Sequence, residues 1–308
     1  MTPGQITDLR RTRYNATVAW LRKPNPDLML IRVRPDTPPP AHQPGQYSTL
    51  GMGGWEPRAP GCVEENLDPK DEDKLIRRAY SISCSILDEQ HDLLDMEHAN
   101  WLEFYVVLVR SKGQGEPAAL TPRLFLLKEG DRLFLGDKIA GHFTLEPVKP
   151  RDSVVFLATG TGEAPHNYML WQLLKRGHQG RILSACCVRY QRDLGYLPTH
   201  NDLMHRYANY KYLSLTTREA LIAGQKVYIQ DLITSGQLEE KLGAGLDPAR
   251  THVFLCGNPN MIGVPTKNRE TGTLTYPAPA GVVEILEKRG FQVDQPKRKG
   301  NIHFEEYW

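Results

Sequence analysis

The hydrophobic pattern of the first half of the chain predicts short β-strands. Apolar and polar residues alternate in brief runs, and turns that contain proline or glycine separate these runs. The candidate strands cover residues 17–21, 28–33, 46–50, 78–83, 102–109 and 132–135. Many short strands with frequent turns are typical of an antiparallel sandwich or barrel. We therefore expect a β-sandwich or a β-barrel in this half.

The pattern changes after residue 148. Apolar runs at 154–158, 182–188, 212–216 and 252–256 alternate with segments of helical spacing at 165–176, 229–242 and 281–289. This alternation predicts a doubly wound parallel sheet. We expect an N-terminal domain over residues 1–148 and a C-terminal domain over residues 149–308. Two stretches rich in glycine and proline, at about 51–74 and 263–280, are predicted insertions.

The composition agrees with two globular domains. The chain has 308 residues, of which 40% are hydrophobic and 24% charged, and its net charge is +2. This small charge gives no indication of nucleic-acid binding, and no apolar run is long enough to cross a bilayer. The first residues contain no apolar stretch that would indicate a secretory signal. Five cysteines without zinc or iron–sulfur spacing favour a reducing, cytoplasmic location.

A glycine-rich turn is the strongest candidate for a phosphate site. Residues 158–165 read Ala-Thr-Gly-Thr-Gly-Glu-Ala-Pro, between a predicted buried strand and a predicted helix. Glycines let a phosphate approach the backbone, and the start of a helix favours an anion. The alternative is a tight turn without a ligand.

The strand motif Arg78-Ala79-Tyr80-Ser81 could hold a second phosphorylated ring compound. An arginine can clamp a pyrophosphate through two hydrogen bonds, and a tyrosine offers a flat face to an aromatic ring. The alternative is a half-buried strand with a surface arginine.

Two further motifs lie in the second half. Cys256-Gly257-Asn258-Pro259 follows a predicted parallel strand, at the carboxyl edge where ligands bind. The chain ends in Glu305-Glu306-Tyr307-Trp308, and two terminal aromatic residues need a flat group to cover. The alternatives are a buried cysteine and a last strand packed into the core.

Taken in their order along the chain, with Arg78-Ala79-Tyr80-Ser81 first, the four motifs resemble those of the ferredoxin–NADP reductase family. The resemblance covers nearly the whole chain apart from the two insertions, and the terminal Tyr-Trp is similar to the bacterial branch. It implies a β-barrel that binds FAD and an α/β domain that binds NADP(H). It also implies hydride transfer between NADP(H) and FAD, and single-electron transfer to or from a separate ferredoxin or flavodoxin. We expect a monomer.

The resemblance assigns residues to the two cofactors. Tyr80 and Tyr307 would cover the two faces of the flavin, and Ser81 would lie near the flavin nitrogen that accepts hydride. The FAD-binding residues implied are Arg78, Ala79, Tyr80, Ser81, Tyr105, Leu120, Thr121, Tyr307 and Trp308. The nucleotide-binding residues implied are Thr161, Gly162, Arg189, Thr217, Arg218, Tyr228, Gln230 and Asn258. The catalytic residues implied are Ser81, Cys256 and Glu305, and the neighbouring Glu306 is the alternative to Glu305.

The nucleotide assignment favours NADP(H) over NAD(H). A dianionic 2′-phosphate requires a guanidinium such as that of Arg218, whereas an NAD site would carry an acidic residue there. Glu163 departs from the family pattern, which usually has an apolar residue at that position. We expect its negative charge to lower the affinity for the cofactor.

Two other functions stay open on this fold. One is the reductase component of an oxygenase or cytochrome system, and the other is a non-catalytic flavin or nucleotide sensor. The joint presence of Ser81, Cys256 and Glu305 argues against the sensor.

Overall fold

A computed structural model describes residues 1–111, 115–219, 226–295 and 297–307. The chain divides into two compact units, Met1–His142 and Phe143–Trp308. The division lies a few residues before the one that the sequence suggests after residue 148. Within the described ranges, no helix is long and apolar enough to cross a membrane.

The N-terminal unit is an antiparallel barrel. Its elements are α1 (Pro3–Arg13), β1 (Ala16–Asn25), β2 (Leu28–Pro35), β3 (Tyr47–Gly53), β4 (Leu75–Ser81), β5 (Leu102–Val107), α2 (Thr121–Leu124) and β6 (Arg132–Leu135). The strand order is β4-β3-β6-β1-β2-β5. A bridge between Ser83 and Glu103 joins the end of β4 to β5 and closes the sheet. The predicted barrel is confirmed.

The first predicted insertion is partly regular structure. Gly51 to Gly53 belong to β3, and the remaining segment returns to β4 at Leu75. Arg123 holds this segment in place, because its guanidinium donates to Glu65 Oε2 at 2.6 Å and to the Gly54 carbonyl at 2.9 Å. Only 3% of the Arg123 side chain is exposed.

The C-terminal unit is a parallel sheet between two helical layers. Its elements are β7 (Ser153–Thr159), α3 (Glu163–Lys175), β8 (Ile182–Val188), α4 (Leu197–Arg206), β9 (Tyr210–Thr216), α5 (Ile229–Thr234), α6 (Gln237–Leu242), β10 (Thr251–Gly257), α7 (Pro259–Ile262), β11 (Thr266–Lys267), β12 (Leu274–Thr275), α8 (Val282–Glu287) and β13 (Ile302–Glu306). Five of these strands pair in the order β13-β10-β7-β8-β9, all parallel. The predicted doubly wound sheet is confirmed.

The two faces of this sheet differ in chemistry. One face packs against α5, α6, α7 and α8 through a continuous apolar cluster that includes Leu157, Leu255 and Val283. The other face packs against α3 and α4, where polar side chains of the helices meet polar side chains of the strands.

Three details differ from the sequence-based expectation. The predicted helix over 229–242 is two helices, because Gly236 between them has φ +79°. Ile302–Glu306 form a last strand that pairs with β10, which the sequence alone supports only as the alternative. The second predicted insertion contains the hairpin of β11 and β12.

Candidate active site

The glycine turn after β7 needs glycine at two positions. Gly160, Thr161 and Gly162 form one 3-10 turn that leads into α3. Gly160 has φ +55°, and a Cβ atom added there would meet nothing within 4 Å, so the space beside it is open. A Cβ atom on Gly162 would lie 2.1 Å from the carbonyl oxygen of Cys256. The turn therefore packs tightly against β10 on one side.

The ends of β7 and β10 are joined by a hydrogen bond. The backbone N–H of Asn258 donates to Thr159 Oγ1 at 2.7 Å. The Asn258 side chain accepts from the N–H of Asn260 at 2.8 Å and caps α7. Thr161, Gly162 and Asn258 thus lie together at the carboxyl edge of the sheet, as the sequence predicts.

Cys256, Glu305 and Tyr307 also lie together. Cys256 is opposite Glu305 in the pairing of β10 with β13, and its thiol is hydrogen-bonded to Tyr307. The backbone N–H of Tyr307 donates to the Gly257 carbonyl at 2.9 Å. Burial, with a contribution from the charge of Glu305, raises the pKa of the Cys256 thiol well above its ordinary value. The thiol is therefore neutral and a poor nucleophile.

Two arginines project from neighbouring loops at the same edge. The N–H of Arg218, just after β9, donates to the carbonyl of Arg189, just after β8, at 2.9 Å. Both side chains are exposed. Thr217 precedes Arg218, and its N–H donates to the Val188 carbonyl at 3.0 Å. This pair of cations brings positive charge to the carboxyl ends of β8 and β9.

An exposed aromatic ring lies at the start of α5. Tyr228 is 47% exposed, and its backbone N–H donates to Asp231 Oδ2 at 2.7 Å. Gln230 follows, and its side-chain amide donates to the Asn260 carbonyl at 3.3 Å. Because α5 follows β9, Tyr228 and Gln230 belong to the same edge as Arg218.

The strand motif of the N-terminal unit offers an uncompensated cation. Arg78 on β4 is exposed, and its Nη1 donates to the Arg77 carbonyl at 2.8 Å. Within the described residues, no carboxylate forms an ion pair with Arg78. Ala79 beside it is exposed as well. Burial raises the pKa of Tyr80, whose ring meets Phe104 edge-on at 6.5 Å between centroids.

The other residues that are predicted to bind FAD lie on β4, on β5 and at the start of α2. Ser81 is 6% exposed and pairs with Tyr47 of β3. Tyr105 on β5 is buried. Thr121 begins α2 directly after the buried Leu120, and its hydroxyl oxygen accepts from the Val109 N–H at 3.1 Å. The hydroxyl hydrogen of Thr121 is left for another acceptor.

The structure brings some of the predicted catalytic residues together, but not all of them. Cys256 and Glu305 are brought together in the C-terminal unit, whereas Ser81 lies in the N-terminal unit, so its approach to them stays a prediction. Trp308 lies outside the described residues.

Sequence reasoning did not show that the side chain of Glu163 is buried. Its side chain is only 3% exposed; Oε1 accepts from the Tyr212 hydroxyl at 2.7 Å and lies 3.1 Å from His200 Nε2. The carboxylate is therefore turned into the layer between the sheet and its helices, away from the surface of the turn. The available signal was the alternation of Tyr210 and Tyr212 in β9, which places two phenols on one face.

Comparison with known proteins gives consistent results. Residues 156–266 match the family model described as an oxidoreductase NAD-binding domain. A flavodoxin/ferredoxin–NADP reductase of Shigella flexneri is 33% identical over 162 residues, which cover 52% of this chain and 63% of that enzyme. A flavodoxin/ferredoxin–NADP reductase of Buchnera aphidicola is 27% identical over 297 residues, 96% of this chain and 98% of that enzyme.

A solved structure shows the same fold. It is a ferredoxin NADP+ reductase from Neisseria gonorrhoeae with bound FAD and NADP, with a TM-score of 0.68 and 21% identity over 96% of this chain and 98% of that one. Together with the motifs and the two-unit architecture, these similarities confirm the predicted resemblance to the ferredoxin–NADP reductase family.

Proposed function

We propose that this protein is an FAD-dependent oxidoreductase that moves electrons between NADP(H) and a ferredoxin or flavodoxin. The observation that carries the proposal is the edge of the C-terminal sheet. There the open glycine turn, the cation pair of Arg189 and Arg218, and the exposed ring of Tyr228 occur together.

The residues of this edge fit NADP(H). Arg218 and Arg189 supply the guanidinium groups that a 2′-phosphate requires, and Tyr228 offers a face to adenine. The open space beside Gly160 lets a pyrophosphate approach the backbone at the start of α3. Glu219, the acidic residue next to Arg218, accepts from the backbone N–H of Gln191 at 2.9 Å.

The barrel motif fits FAD. The exposed guanidinium of Arg78 would hold the pyrophosphate, together with the hydroxyl of Thr121. Tyr80 and Tyr307 would pack on the flavin, and Ser81 would donate a hydrogen bond to it. Bound FAD supplies hydride acceptance from NADPH and the return of electrons one at a time.

The residues near Cys256 would shape the nicotinamide pocket and handle a proton. The neutral thiol of Cys256 fills space beside the turn, and the carboxylate of Glu305 would hold a proton. Tyr307 rests on Cys256 and would move when nicotinamide binds.

We infer a cytoplasmic, monomeric protein that acts on a separate electron carrier. All five cysteines are free thiols, in keeping with a reducing compartment. The carrier is proposed because the curated relatives are named for flavodoxin and ferredoxin.

Visible absorption during anaerobic titration tests this proposal. We expect a yellow protein that NADPH bleaches at a much lower concentration than NADH. Arg218→Ala should reduce this preference by about 10- to 100-fold, since a hydrogen bond to a charged group contributes about 1.5–3 kcal/mol. Arg250→Ala, which removes an exposed arginine just before β10, is the matched control and should leave the preference unchanged.

Two results would overturn the proposal. A colourless protein that FAD cannot reconstitute would exclude a reductase. A yellow protein that neither nucleotide reduces would favour the sensor alternative.

A further inference from the structure

A polar network lies buried beneath the glycine turn. Its central members are Glu163, His200, Tyr210 and Tyr212, whose exposed fractions are 3%, 0%, 0% and 7%. Burying polar groups is unfavourable unless they are hydrogen-bonded to each other. The four side chains come from α3, α4 and β9, so their pairing specifies how these elements meet.

The hydrogen bonds of the network form a chain from Ser184 through Tyr210 to His200. Ser184 is hydrogen-bonded to the oxygen of Tyr210, and the Tyr210 hydroxyl is 2.8 Å from His200 Nδ1. If Ser184 donates to Tyr210, then Tyr210 donates to Nδ1, and the ring hydrogen of His200 must be on Nε2. That nitrogen faces Glu163 Oε1 at 3.1 Å. The His200 ring thus lies between the Tyr210 hydroxyl and the Glu163 carboxylate.

One hydrogen bond and one close imidazole meet at a single carboxylate oxygen. Glu163 Oε1 accepts from the Tyr212 hydroxyl at 2.7 Å and lies 3.1 Å from His200 Nε2, which has no hydrogen-bond partner among the described residues. The rings of His200 and Tyr212 are stacked, with centroids 4.0 Å apart and planes at 11°. This stack holds the Tyr212 ring, and with it the hydroxyl that donates to Glu163, so β9 and α4 together set the position of the Glu163 side chain.

Glu163 is covalently next to the turn that it would hold. It follows Gly162 directly, and the thiol of Cys186 on β8 donates to the Gly160 carbonyl at 3.7 Å. On the other side, Gly162 packs against the Cys256 carbonyl. The turn is therefore fixed from the interior by Glu163 and Cys186 and from the side by β10.

We propose that Glu163 is a positioning residue that holds the Gly160–Gly162 turn in the conformation that accepts NADP(H). This inference rests on the proposed function. Its physical basis is preorganisation, because a turn that is already ordered loses less conformational entropy when the nucleotide binds. The buried direction of the carboxylate keeps its charge away from the phosphates.

This inference and a purely electrostatic role predict opposite signs. If Glu163 acted by repelling phosphate, neutral Glu163→Gln would bind NADP+ more tightly. If Glu163 positions the turn, Glu163→Gln keeps an acceptor for Tyr212 but adds an amide N–H group. That group would replace Oε2, which has no hydrogen-bond partner among the described residues. Binding should then weaken moderately, and Glu163→Leu, which has no acceptor, should weaken it most.

Steady-state kinetics of the FAD-loaded protein with NADPH and ferricyanide measure this order. We expect the KM for NADPH to rise about tenfold in Tyr212→Phe, as the loss of one buried hydrogen bond of about 1.4 kcal/mol requires. The rise should be about threefold in Glu163→Gln and about 30-fold in Glu163→Leu. A kcat within about twofold of wild type in all three would separate loss of nucleotide positioning from a general loss of structure.

Tyr14→Phe is the matched control. It removes the same type of bond, from a phenol to the buried carboxylate of Glu56 at 2.9 Å, in the N-terminal unit. Its KM for NADPH should equal that of wild type.

Hydrogen–deuterium exchange of the backbone amides at 159–163 tests the inference without catalysis. Exchange there should be faster in Glu163→Leu and Tyr212→Phe than in wild type, and unchanged in Tyr14→Phe. Unchanged exchange in the first two variants, or tighter NADP+ binding by Glu163→Gln, would overturn the inference. Wild-type protein that NADPH does not reduce would instead refute the proposed function, and the exchange data would still decide whether Glu163 holds the turn.

Discussion

Two buried glutamates, one in each unit, show how the same side chain can serve different ends. Glu56 and Glu163 are 7% and 3% exposed, and each accepts a hydrogen bond from a tyrosine. They differ in their other partners, and this difference separates a structural ion pair from support for a ligand site.

Glu56 is compensated by a full positive charge. Arg10 donates to its two oxygens at 2.8 and 2.5 Å, and Trp55 donates at 3.0 Å. Burial of Glu56 favours the neutral acid, but the hydrogen bonds from Arg10, Tyr14 and Trp55 outweigh burial and lower its pKa. The ion pair fastens α1, which buries no residue of its own, to the barrel.

Glu163 has weaker electrostatic compensation. Within the described residues no lysine or arginine pairs with it, and its contacts are the phenol of Tyr212 and the imidazole of His200. These contacts are directional, and none of them supplies the full positive charge that Arg10 gives to Glu56. The comparison teaches that a buried carboxylate without a strong cation, next to a candidate ligand turn, is a candidate for positioning.

The largest expected effect is on stability. Glu163→Leu should lower the unfolding free energy of the C-terminal unit by about 3 kcal/mol, because the buried hydroxyl of Tyr212 loses its acceptor and the buried ring of His200 loses the carboxylate beside it. Glu56→Leu should lower that of the N-terminal unit by only about 2 kcal/mol. Arg10 is 49% exposed and can return to water. Urea unfolding, followed by hydrogen exchange in peptides of each unit, measures both. Equal losses would contradict the comparison.

The second-largest expected effect is that of acidification, which should lower the unfolding free energy of the C-terminal unit before that of the N-terminal unit. Burial, with a contribution from the charge of His252, lowers the pKa of His303 to about 4 from 6.5. Between these values the unfolded chain binds a proton that the folded chain does not. The unfolding free energy of the C-terminal unit should therefore fall by about 3 kcal/mol as the pH falls from 6.5 to 4. The pKa of Glu56 is lowered in the folded protein, so its ionisation stabilises the N-terminal unit fully above the ordinary carboxyl value of 4.5. This contribution to the unfolding free energy is lost only as the pH falls further.

Unfolding measured across this pH range checks the sign. His303→Phe should reduce the pH dependence, since phenylalanine can retain the stacking on Phe254, whose ring is 4.5 Å from that of His303. His98→Asn, at an imidazole whose side chain is 81% exposed, should leave it unchanged. An N-terminal unit that unfolds first on acidification would contradict the account.

Gly162→Ala should displace the candidate nucleotide-binding turn of the C-terminal unit. Its added Cβ would lie 2.1 Å from the Cys256 carbonyl, so the turn must move. We expect kcat/KM for NADPH to fall about 100-fold, as misplacement of a positioning element by about 1 Å can cause, while FAD stays bound. Gly245→Ala, which meets nothing within 4 Å, is the control. Wild-type activity in Gly162→Ala would show that the turn does not position the nucleotide.

The smallest effect concerns the exposed half of the Glu56 ion pair. Arg10→Gln should destabilise the N-terminal unit by about 1 kcal/mol, and less in high salt, because half-exposed ion pairs are screened. Arg11→Gln removes a pair whose side chains are 74% and 73% exposed and should have no measurable effect. A larger loss in Arg11→Gln than in Arg10→Gln would refute this assignment.

Most of the architecture could be predicted from the hydrophobic pattern, because strands and helices differ in period. The barrel and the parallel sheet follow from that pattern, and the motifs were placed at the correct strand ends. The split at Gly236 was missed because a single glycine in an apolar helical run is compatible with either one helix or two.

Local sequence could not show the direction of Glu163. Its partner Tyr212 lies 49 positions along the chain, and His200 belongs to a different helix. From the sequence alone, a charged residue beside a phosphate-binding turn is expected to be exposed. Only the strand order, which places β9 beneath the turn, shows that this side chain is buried. The same reason leaves the approach of Ser81 to Cys256 a prediction, because it depends on more than pairing within one unit.

The most direct test of the central claim is NADPH-driven reduction of a purified ferredoxin or flavodoxin by the FAD-loaded protein, followed by absorption under anaerobic conditions. The account predicts rapid reduction with NADPH, much slower reduction with NADH, and none without the protein. Equal rates with both nucleotides would contradict the role given to Arg218. A protein that NADPH reduces but that passes no electron to either carrier would contradict the proposed function.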